Sequence, residues 1–153
     1  MTGPQVVQEL TEMMLVKLST TAILMPGAFD AVERVRQVMP VALVSASPRI
    51  LMDAALTTLP EGFFQFSISA DDVTRTKPFP DPYIEAAKRM GVATSSCVVF
   101  EDSLTGIASA KSAGCAVVAV PHYVEVALAQ KVRVISSLEE VSLEFLEQFY
   151  SAI

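Results

Sequence analysis

Short apolar runs alternate with helix-spaced apolar residues along most of the chain. The runs that predict β-strands are residues 41–45, 63–68, 97–100, 115–120 and 132–135. Helical spacing is found over residues 28–39, 48–59, 82–90, 104–113 and 138–150. Because continuous apolar strands suit a sheet that is covered on both faces, the alternation predicts an α/β fold, a Rossmann-like parallel sheet with helices on both faces.

Residues typical of helix ends support these boundaries. Gly91 and Gly114 lie where C-terminal caps are expected, since glycine readily adopts the left-handed conformation that ends a helix. Ser47, followed by Pro48, is a candidate N-cap, and Asp81 is expected to cap the next helix.

Composition and charge narrow the class of protein. The chain has 153 residues, enough for one ordinary core, and its longest apolar runs are far too short to span a bilayer. With no basic segment before an apolar stretch near Met1, we expect a soluble, cytoplasmic protein. A net charge of −6 argues against nonspecific nucleic-acid binding. Cys97 and Cys115 are expected to be buried thiols, and His122 an exposed loop residue.

The first candidate site follows the strand predicted at residues 41–45. Ser45 leaves the strand where a helix begins, so its hydroxyl and nearby backbone amides, that of Ala46 among them, are placed to bind a phosphate oxygen. The alternative is that this stretch only caps the helix through Ser47.

Two further polar groups occupy comparable positions. Lys77 lies among prolines that restrict the backbone, and a fixed ammonium would neutralise phosphate charge; the alternative is an ordinary surface lysine. Glu101 and Asp102 end the strand predicted at residues 97–100, and adjacent carboxylates suit Mg²⁺. The alternative is helix capping by Asp102 or Ser103, with Glu101 in solvent.

Taken together, these motifs resemble those of the haloacid dehalogenase superfamily, in its phosphoglycolate phosphatase and β-phosphoglucomutase-like branch. The resemblance covers residues 26–120 and is most specific over residues 101–114. It implies a magnesium-dependent phosphohydrolase of small phosphorylated metabolites in which Ser45, Ala46 and Lys77 bind the phosphoryl group, with catalytic roles for Ser45 and Lys77. Asp102 and Glu101 would then hold the metal. Residues 1–25 would be the end of a cap domain and a linker, and residues 26–153 the core.

The chain departs from this family at its first motif. The family carries an Asp-x-Asp pair after an N-terminal strand, the first aspartate being the nucleophile, and no two aspartates here have that spacing. We therefore expect no turnover by this chain alone. A noncatalytic phosphate-binding or interaction module is the alternative function, with a sugar-phosphate mutase in full-length form as another. A receiver domain shares the topology but does not explain Glu101 and Asp102.

The missing strand lies in the middle of the family's sheet, so its loss predicts a gap between the strands at residues 41–45 and 97–100. The gap could be closed by direct pairing of these strands, by residues 20–25 as a surrogate strand, or by a strand from a second chain. Self-association or a complementing N-terminal fragment is thus expected. A fragment of a longer enzyme, a split enzyme and a pseudoenzyme all agree with this sequence.

Overall fold

A computed structural model describes residues 2–21, 23–121 and 131–152. The helices are α1 (Gly3–Thr21), α2 (Ala28–Val35), α3 (Arg49–Leu56), α4 (Asp81–Met90), α5 (Leu104–Ala113) and α6 (Leu143–Ser151). The strands are β1 (Ala42–Val44), β2 (Phe66–Ile68), β3 (Val98–Glu101), β4 (Ala116–Ala119) and β5 (Val132–Val134). Short 3₁₀ turns lie at Ala70–Asp72, Thr94–Ser96 and Leu138–Glu140.

The strands form two parallel sheets. β1 pairs with β2, and Leu43 lies opposite Ser67. The second sheet has the order β3-β4-β5, in which Val99 lies opposite Val117. Every described pairing is parallel, α3 links β1 to β2, α4 lies between β2 and β3, and α5 links β3 to β4. The α/β class predicted from the sequence is confirmed.

The two faces of β4 are covered by different helices. Ala116, Val118 and Val120 pack in one apolar cluster with residues of α2 and α6. Cys115, Val117 and Ala119 pack in a second cluster with residues of α4 and α5. Because successive side chains of a strand point to opposite faces, one fully buried strand serves both clusters. The prediction of helices on both faces is confirmed for this sheet.

The glycine signals mark helix ends correctly. Gly91 and Gly114 follow α4 and α5 with φ of 71° and 85°, the left-handed conformation that glycine adopts without a steric penalty. At the other end of α5, the Ser103 hydroxyl accepts a hydrogen bond from the Gly106 N–H at 3.1 Å. Capping by Ser103, weighed from the sequence as an alternative, is therefore present.

Several predicted elements are shorter than their apolar patterns, and three of them show the physical reasons or the form of the difference. β2 begins only at Phe66, since the ring of Phe63 stacks on Phe29 at a centroid distance of 4.9 Å instead of extending the strand. α2 ends at Val35 in a turn. The pattern over residues 138–150 is divided into a 3₁₀ turn and α6, because the Ser142 hydroxyl caps α6 by accepting from the Phe145 N–H at 3.0 Å.

The caps predicted for α3 and α4 were wrong. Pro48 occupies the N-cap position of α3, and the first helical N–H, that of Arg49, donates to the Asp71 carboxylate at 2.7 Å. Asp81 is the first residue of α4 and accepts from the Arg75 guanidinium. At α3 a carboxylate from another part of the chain replaces the predicted local cap, whereas at α4 the Asp81 carboxylate pairs with Arg75 and caps no helical N–H.

The gap expected between β1 and β3 is present, but two of the predicted ways of closing it were wrong. Within residues 2–21, 23–121 and 131–152, β1 and β3 belong to separate sheets and do not pair directly. Thr20 and Thr21 complete α1, and residues 23–25 belong to none of the described strands. The surrogate strand is thus excluded for the described residues of that segment.

Helix α1 contacts α3 but leaves much apolar surface in solvent. Val7, Met13 and Val16 are each more than 60% exposed. Among the described residues, no helix combines the length and the hydropathy needed to cross a membrane. The predicted division between residues 1–25 and 26–153 stays a prediction, and His122 lies outside the described residues.

Candidate functional site

The carboxyl ends of β1 and β3 meet at a cavity of about 310 Å³. Ser45 and Ala46 follow β1, and Asp102 follows β3. All three line the cavity together with Lys77, which comes from the loop before α4. The structure therefore gathers the polar residues singled out in the sequence around one space, as expected for the carboxyl edge of a parallel sheet.

Lys77 connects the two sheets at this edge. Its ammonium donates to the Val44 carbonyl at 2.9 Å and forms an ion pair with the Glu101 carboxylate. Its side chain is only 9% exposed, and the ammonium lies 5.2 Å from the centre of the Tyr83 ring. An ammonium carries three N–H donors, so one donor remains for a ligand in the cavity. Lys77 is thus a fixed, buried cation and not an ordinary surface lysine.

The loop of residues 73–80, here called the lysine loop, is held by contacts of Arg75 and Phe79. The buried Ser109 hydroxyl of α5 donates to the Phe79 carbonyl at 2.5 Å. Arg75 pairs with Asp81 at 2.9 Å, and its guanidinium lies 4.8 Å from the centre of the Phe79 ring. These contacts restrict the backbone that carries Lys77.

Glu101 lines the cavity but is itself buried. One carboxylate oxygen accepts hydrogen bonds from Lys77 and Tyr83, and the other accepts from the Ser103 hydroxyl at 3.1 Å. A Cβ atom added at Gly106 would overlap this carboxylate. From the sequence, Glu101 was expected either to share the metal with Asp102 or to lie in solvent. Its exposed fraction is 7%, and its oxygens bind the side chains of Lys77, Tyr83 and Ser103.

The hydroxyl of Tyr83 is held in its neutral form by this environment. Burial raises the pKa of Tyr83 far above its usual value, and the negative charge of Glu101 raises it further. A buried phenol normally finds a hydrogen-bond acceptor, and Glu101 supplies it here. Tyr83 therefore acts as a permanent donor to Glu101.

Ser45 and Ala46 present donors to the cavity. The Ser45 hydroxyl oxygen accepts from the Ser47 N–H at 3.1 Å, which leaves its own proton available for donation. Within the described part of the chain, the Ala46 N–H has no hydrogen-bond acceptor. With the third N–H of Lys77, these groups form a set of donors suited to an anion.

Asp102 is the carboxylate that remains available at the site. It is exposed, and none of the side-chain hydrogen bonds or ion pairs of the described residues involves it. Mg²⁺ binds through as few as one or two carboxylates together with water and phosphate oxygens, so Asp102 fits a partial ligand set. Among the described residues there is no cluster of three carboxylate, His or Cys side chains able to hold a metal ion. A complete magnesium site needs ligands beyond these.

Comparison with known proteins identifies the family. The family model described as haloacid dehalogenase-like hydrolase matches residues 3–114. The chain belongs to this family. The haloacid dehalogenase-like assignment agrees with the resemblance found in the motifs around Ser45, Lys77 and Asp102.

Relatives within the haloacid dehalogenase-like family include phosphatases. Validoxylamine A 7'-phosphate phosphatase of Streptomyces hygroscopicus subsp. limoneus is 37% identical over 126 residues, which cover 78% of this chain and 58% of the relative. The structure of CbbY from Rhodobacter sphaeroides in complex with phosphate has a TM-score of 0.77 at 26% identity, covering 87% of this chain and 63% of CbbY. A family hydrolase from Entamoeba histolytica has a TM-score of 0.81 at 24% identity, covering 97% of this chain and 70% of that one, and shows the shared fold. This chain thus spans about 60% of the length of the first two relatives.

Three residues that support the site were not assigned that role from the sequence. Tyr83 and Gly106 hold and accommodate Glu101, and Ser103 contacts it besides capping α5. Tyr83 lies at the start of a helix six positions after Lys77, where a large apolar residue would serve packing equally well. The signal that could have revealed this role is the hydroxyl of Tyr83, because a phenol buried in a core requires a hydrogen-bond partner.

Proposed function

We propose that this chain forms the phosphate-binding part of a haloacid dehalogenase-like phosphohydrolase that acts on small phosphorylated metabolites. The observation that carries the proposal is the convergence of Lys77, Ser45 and the Ala46 N–H on one cavity at the carboxyl edge of the sheets. Each supplies a hydrogen-bond donor, and Lys77 supplies positive charge in a partly water-excluded place where it acts strongly on an anion. The family membership and the phosphatases among the relatives support the reaction class.

Binding of inorganic phosphate tests this role. We expect millimolar phosphate to shift the backbone amide NMR signals of Ser45, Ala46 and Asp102 in the full chain. Lys77→Met should weaken this binding by roughly tenfold or more, since a charge-assisted hydrogen bond is removed. Lys88→Met is the matched control, because the Lys88 side chain is 78% exposed and its ion pair among the described residues is with Glu85 on α4. Equal binding by the Lys77 variant, or phosphate shifts confined to other surfaces, would contradict the proposal.

We further propose that Mg²⁺ is held here by Asp102, and that Glu101 serves the site by fixing Lys77. When bound, the ion would neutralise phosphate charge beside the lysine. To distinguish the role of Asp102 from that of Glu101, phosphate binding is measured at increasing Mg²⁺ concentration for the natural chain and for Asp102→Asn. Tighter phosphate binding with Mg²⁺ in the natural chain but not in the variant is the expected result.

The chain alone is proposed not to turn over phosphoesters. The covalent phosphoryl transfer that the family resemblance implies needs a carboxylate nucleophile in the cavity. Glu101 is engaged by Lys77, Tyr83 and Ser103, and Asp102 is assigned to the ion. We expect no hydrolysis of p-nitrophenyl phosphate above background with Mg²⁺ present. Turnover that is lost in Asp102→Asn would show that a residue of this chain supplies the missing chemistry.

We also propose that the protein is located in a reducing compartment such as the cytoplasm. Both cysteines of the chain are free thiols, and burial raises the pKa of Cys115 to about 12, which keeps it protonated and unreactive. Fractionation of cells that express the protein tests this location.

A further inference from the structure

One oxygen of the Glu101 carboxylate is shared by two side-chain donors. The Lys77 ammonium and the Tyr83 hydroxyl both donate to Oε1, whereas the Ser103 hydroxyl donates to Oε2 at 3.1 Å. Each oxygen of an ionised carboxylate has room for about two hydrogen bonds, because it carries two lone pairs. The two donors from Lys77 and Tyr83 therefore fill the acceptor positions of Oε1.

This contact is almost closed to water. The exposed fraction is 6% for Tyr83 and 7% for Glu101, and the Lys77 side chain is 9% exposed. In such a place a donor that is removed is not readily replaced by solvent, and the hydrogen bonds that remain become stronger. Each donor to Glu101 therefore affects how the others are held.

The backbone and the ring of Tyr83 hold its hydroxyl in place. Tyr83 lies in the first turn of α4, where its N–H donates to the Pro80 carbonyl at 3.1 Å. Its ring packs in one apolar cluster with Val99 and Ile107. Because burial raises the pKa of Tyr83 far above its usual value, the hydroxyl keeps its proton and stays a donor.

The Lys77 ammonium has more freedom than the phenol. It carries three N–H donors on a flexible stem, and the described residues engage two of them, through the Val44 carbonyl at 2.9 Å and through Oε1 of Glu101. An open acceptor position on Oε1 would compete with a phosphoryl oxygen for the third. The Tyr83 hydroxyl occupies that position.

We propose that Tyr83 is a positioning residue for phosphate binding, whose hydroxyl fills Oε1 of Glu101 and thereby keeps one N–H of Lys77 available to a phosphoryl oxygen. This inference rests on the phosphate-binding function proposed above. Tyr83 is not among the residues that line the cavity at the carboxyl ends of β1 and β3. It therefore acts on the anion through Glu101 and Lys77.

The alternative is that Tyr83 serves the site only through its ring, which packs in the core and lies 5.2 Å from the Lys77 ammonium. Two substitutions separate the hydroxyl from the ring. Tyr83→Phe removes the hydroxyl and keeps the ring, whereas Tyr83→Leu removes both. If the hydroxyl carries the effect, Tyr83→Phe alone weakens phosphate binding. Unchanged affinity in Tyr83→Phe together with a loss in Tyr83→Leu would overturn the proposal in favour of the ring.

Phosphate titration of the full chain, followed through the amide NMR signals of Ser45 and Ala46, measures the affinity. We expect Tyr83→Phe to weaken binding of inorganic phosphate by roughly threefold to tenfold, as for one hydrogen bond in a network. Tyr150→Phe is the matched control, since it removes a phenol hydroxyl that donates to the Ser96 carbonyl at 3.0 Å, and Tyr150 does not line this cavity. The control should bind phosphate as the natural chain does.

The double variant shows whether Tyr83 acts through the lysine. In a Lys77→Met background, Tyr83→Phe should weaken phosphate binding no further, because the donor that it positions is gone. A loss by the same factor in both backgrounds would mean a general structural role and would overturn the proposal. If Lys77→Met itself leaves binding unchanged, the phosphate-binding function fails. If Lys77→Met weakens binding and Tyr83→Phe does not, only the role of Tyr83 fails.

A measurement on the natural chain covers the case in which a Tyr83 variant does not fold. The buried Tyr83 hydroxyl proton, bonded to a carboxylate, should exchange slowly enough to give its own NMR signal. We expect this signal to move as phosphate is added, because phosphate draws Lys77 away from the shared oxygen. A signal that stays fixed at phosphate concentrations that shift the Ser45 and Ala46 amides would refute the coupling.

Discussion

Gly106 lies in the first turn of α5, directly against the carboxylate of Glu101. The missing side chain leaves space for a carboxylate that three other residues hold by hydrogen bonds, namely Lys77, Tyr83 and Ser103. In the sequence Gly106 interrupts a helical pattern, and in the structure it provides the space that the Glu101 carboxylate occupies.

We predict that Gly106→Ala destabilises the chain by about 1–3 kcal/mol, the usual cost of excess volume in a packed place. Alanine favours a helix over glycine, but here its Cβ would displace Glu101 and break charge-assisted hydrogen bonds. Urea unfolding measures the change. Gly3→Ala is the matched control, since a Cβ at Gly3 meets nothing within 4 Å, and it should be neutral or slightly stabilising. A Gly106 variant as stable as the control would mean that Glu101 moves at no cost.

At the scale of elements, the corner between β2 and α3 is held by charged side chains. Arg49, the first residue of α3, forms an ion pair with Asp72 and also donates to the Ser67 hydroxyl at 2.7 Å. Asp72 accepts from the Ser69 hydroxyl at 2.6 Å and from its N–H at 2.7 Å. These bonds hold α3, the helix that follows Ser45, against β2, the strand that pairs with β1.

We predict that this corner makes stability depend on acid. Hydrogen bonds from the Ser69 hydroxyl and N–H, followed by Arg49, lower the pKa of Asp72 from 3.8 to about 2. A lowered pKa stabilises the folded chain at pH values above the unfolded pKa, and that contribution disappears as the pH falls through the folded pKa. Asp72→Asn should therefore cost about 1–2 kcal/mol near neutral pH, and its difference from the natural chain should shrink between about pH 4 and pH 2.

The control for this prediction is Asp53→Asn. Asp53 pairs with the same Arg49 at 3.3 Å, but its side chain is 59% exposed, so its removal should change stability little. Urea unfolding at several pH values compares the two variants. A loss of stability in Asp72→Asn that does not vary with pH would show that the amide disturbs packing and not charge.

At the scale of the whole molecule, the sequence predicted the described strands, their parallel arrangement and the helices α2 to α6, because continuous apolar runs and helix spacing are local patterns. It did not predict that Phe63 would stack on Phe29, or that Asp71 would cap α3 across 22 positions. Such partners are distant in the chain, and a local pattern carries no information about them.

The site was predictable to a similar extent. Lys77, Ser45 and Asp102 each belong to a recognisable motif. Parallel strands bring their carboxyl ends to one edge of a sheet, which explains why the three residues line one cavity. The inward position of Glu101 was not predictable, since adjacent carboxylates at a strand end look equivalent in a sequence. The two carboxylates differ in burial: Asp102 is exposed, whereas Glu101 is buried and accepts a hydrogen bond from Tyr83.

The apolar space between β1 and β3 also makes the fold mechanically soft. About 440 Å³ of apolar space lies between the two sheets, which are joined there by side chains and helices without a backbone ladder. Hydrostatic pressure favours states that eliminate internal volume, so it should act on this chain more strongly than on a fully packed domain of equal length. Filling the space between β1 and β3 would remove that compressible volume and make the chain stiffer under pressure.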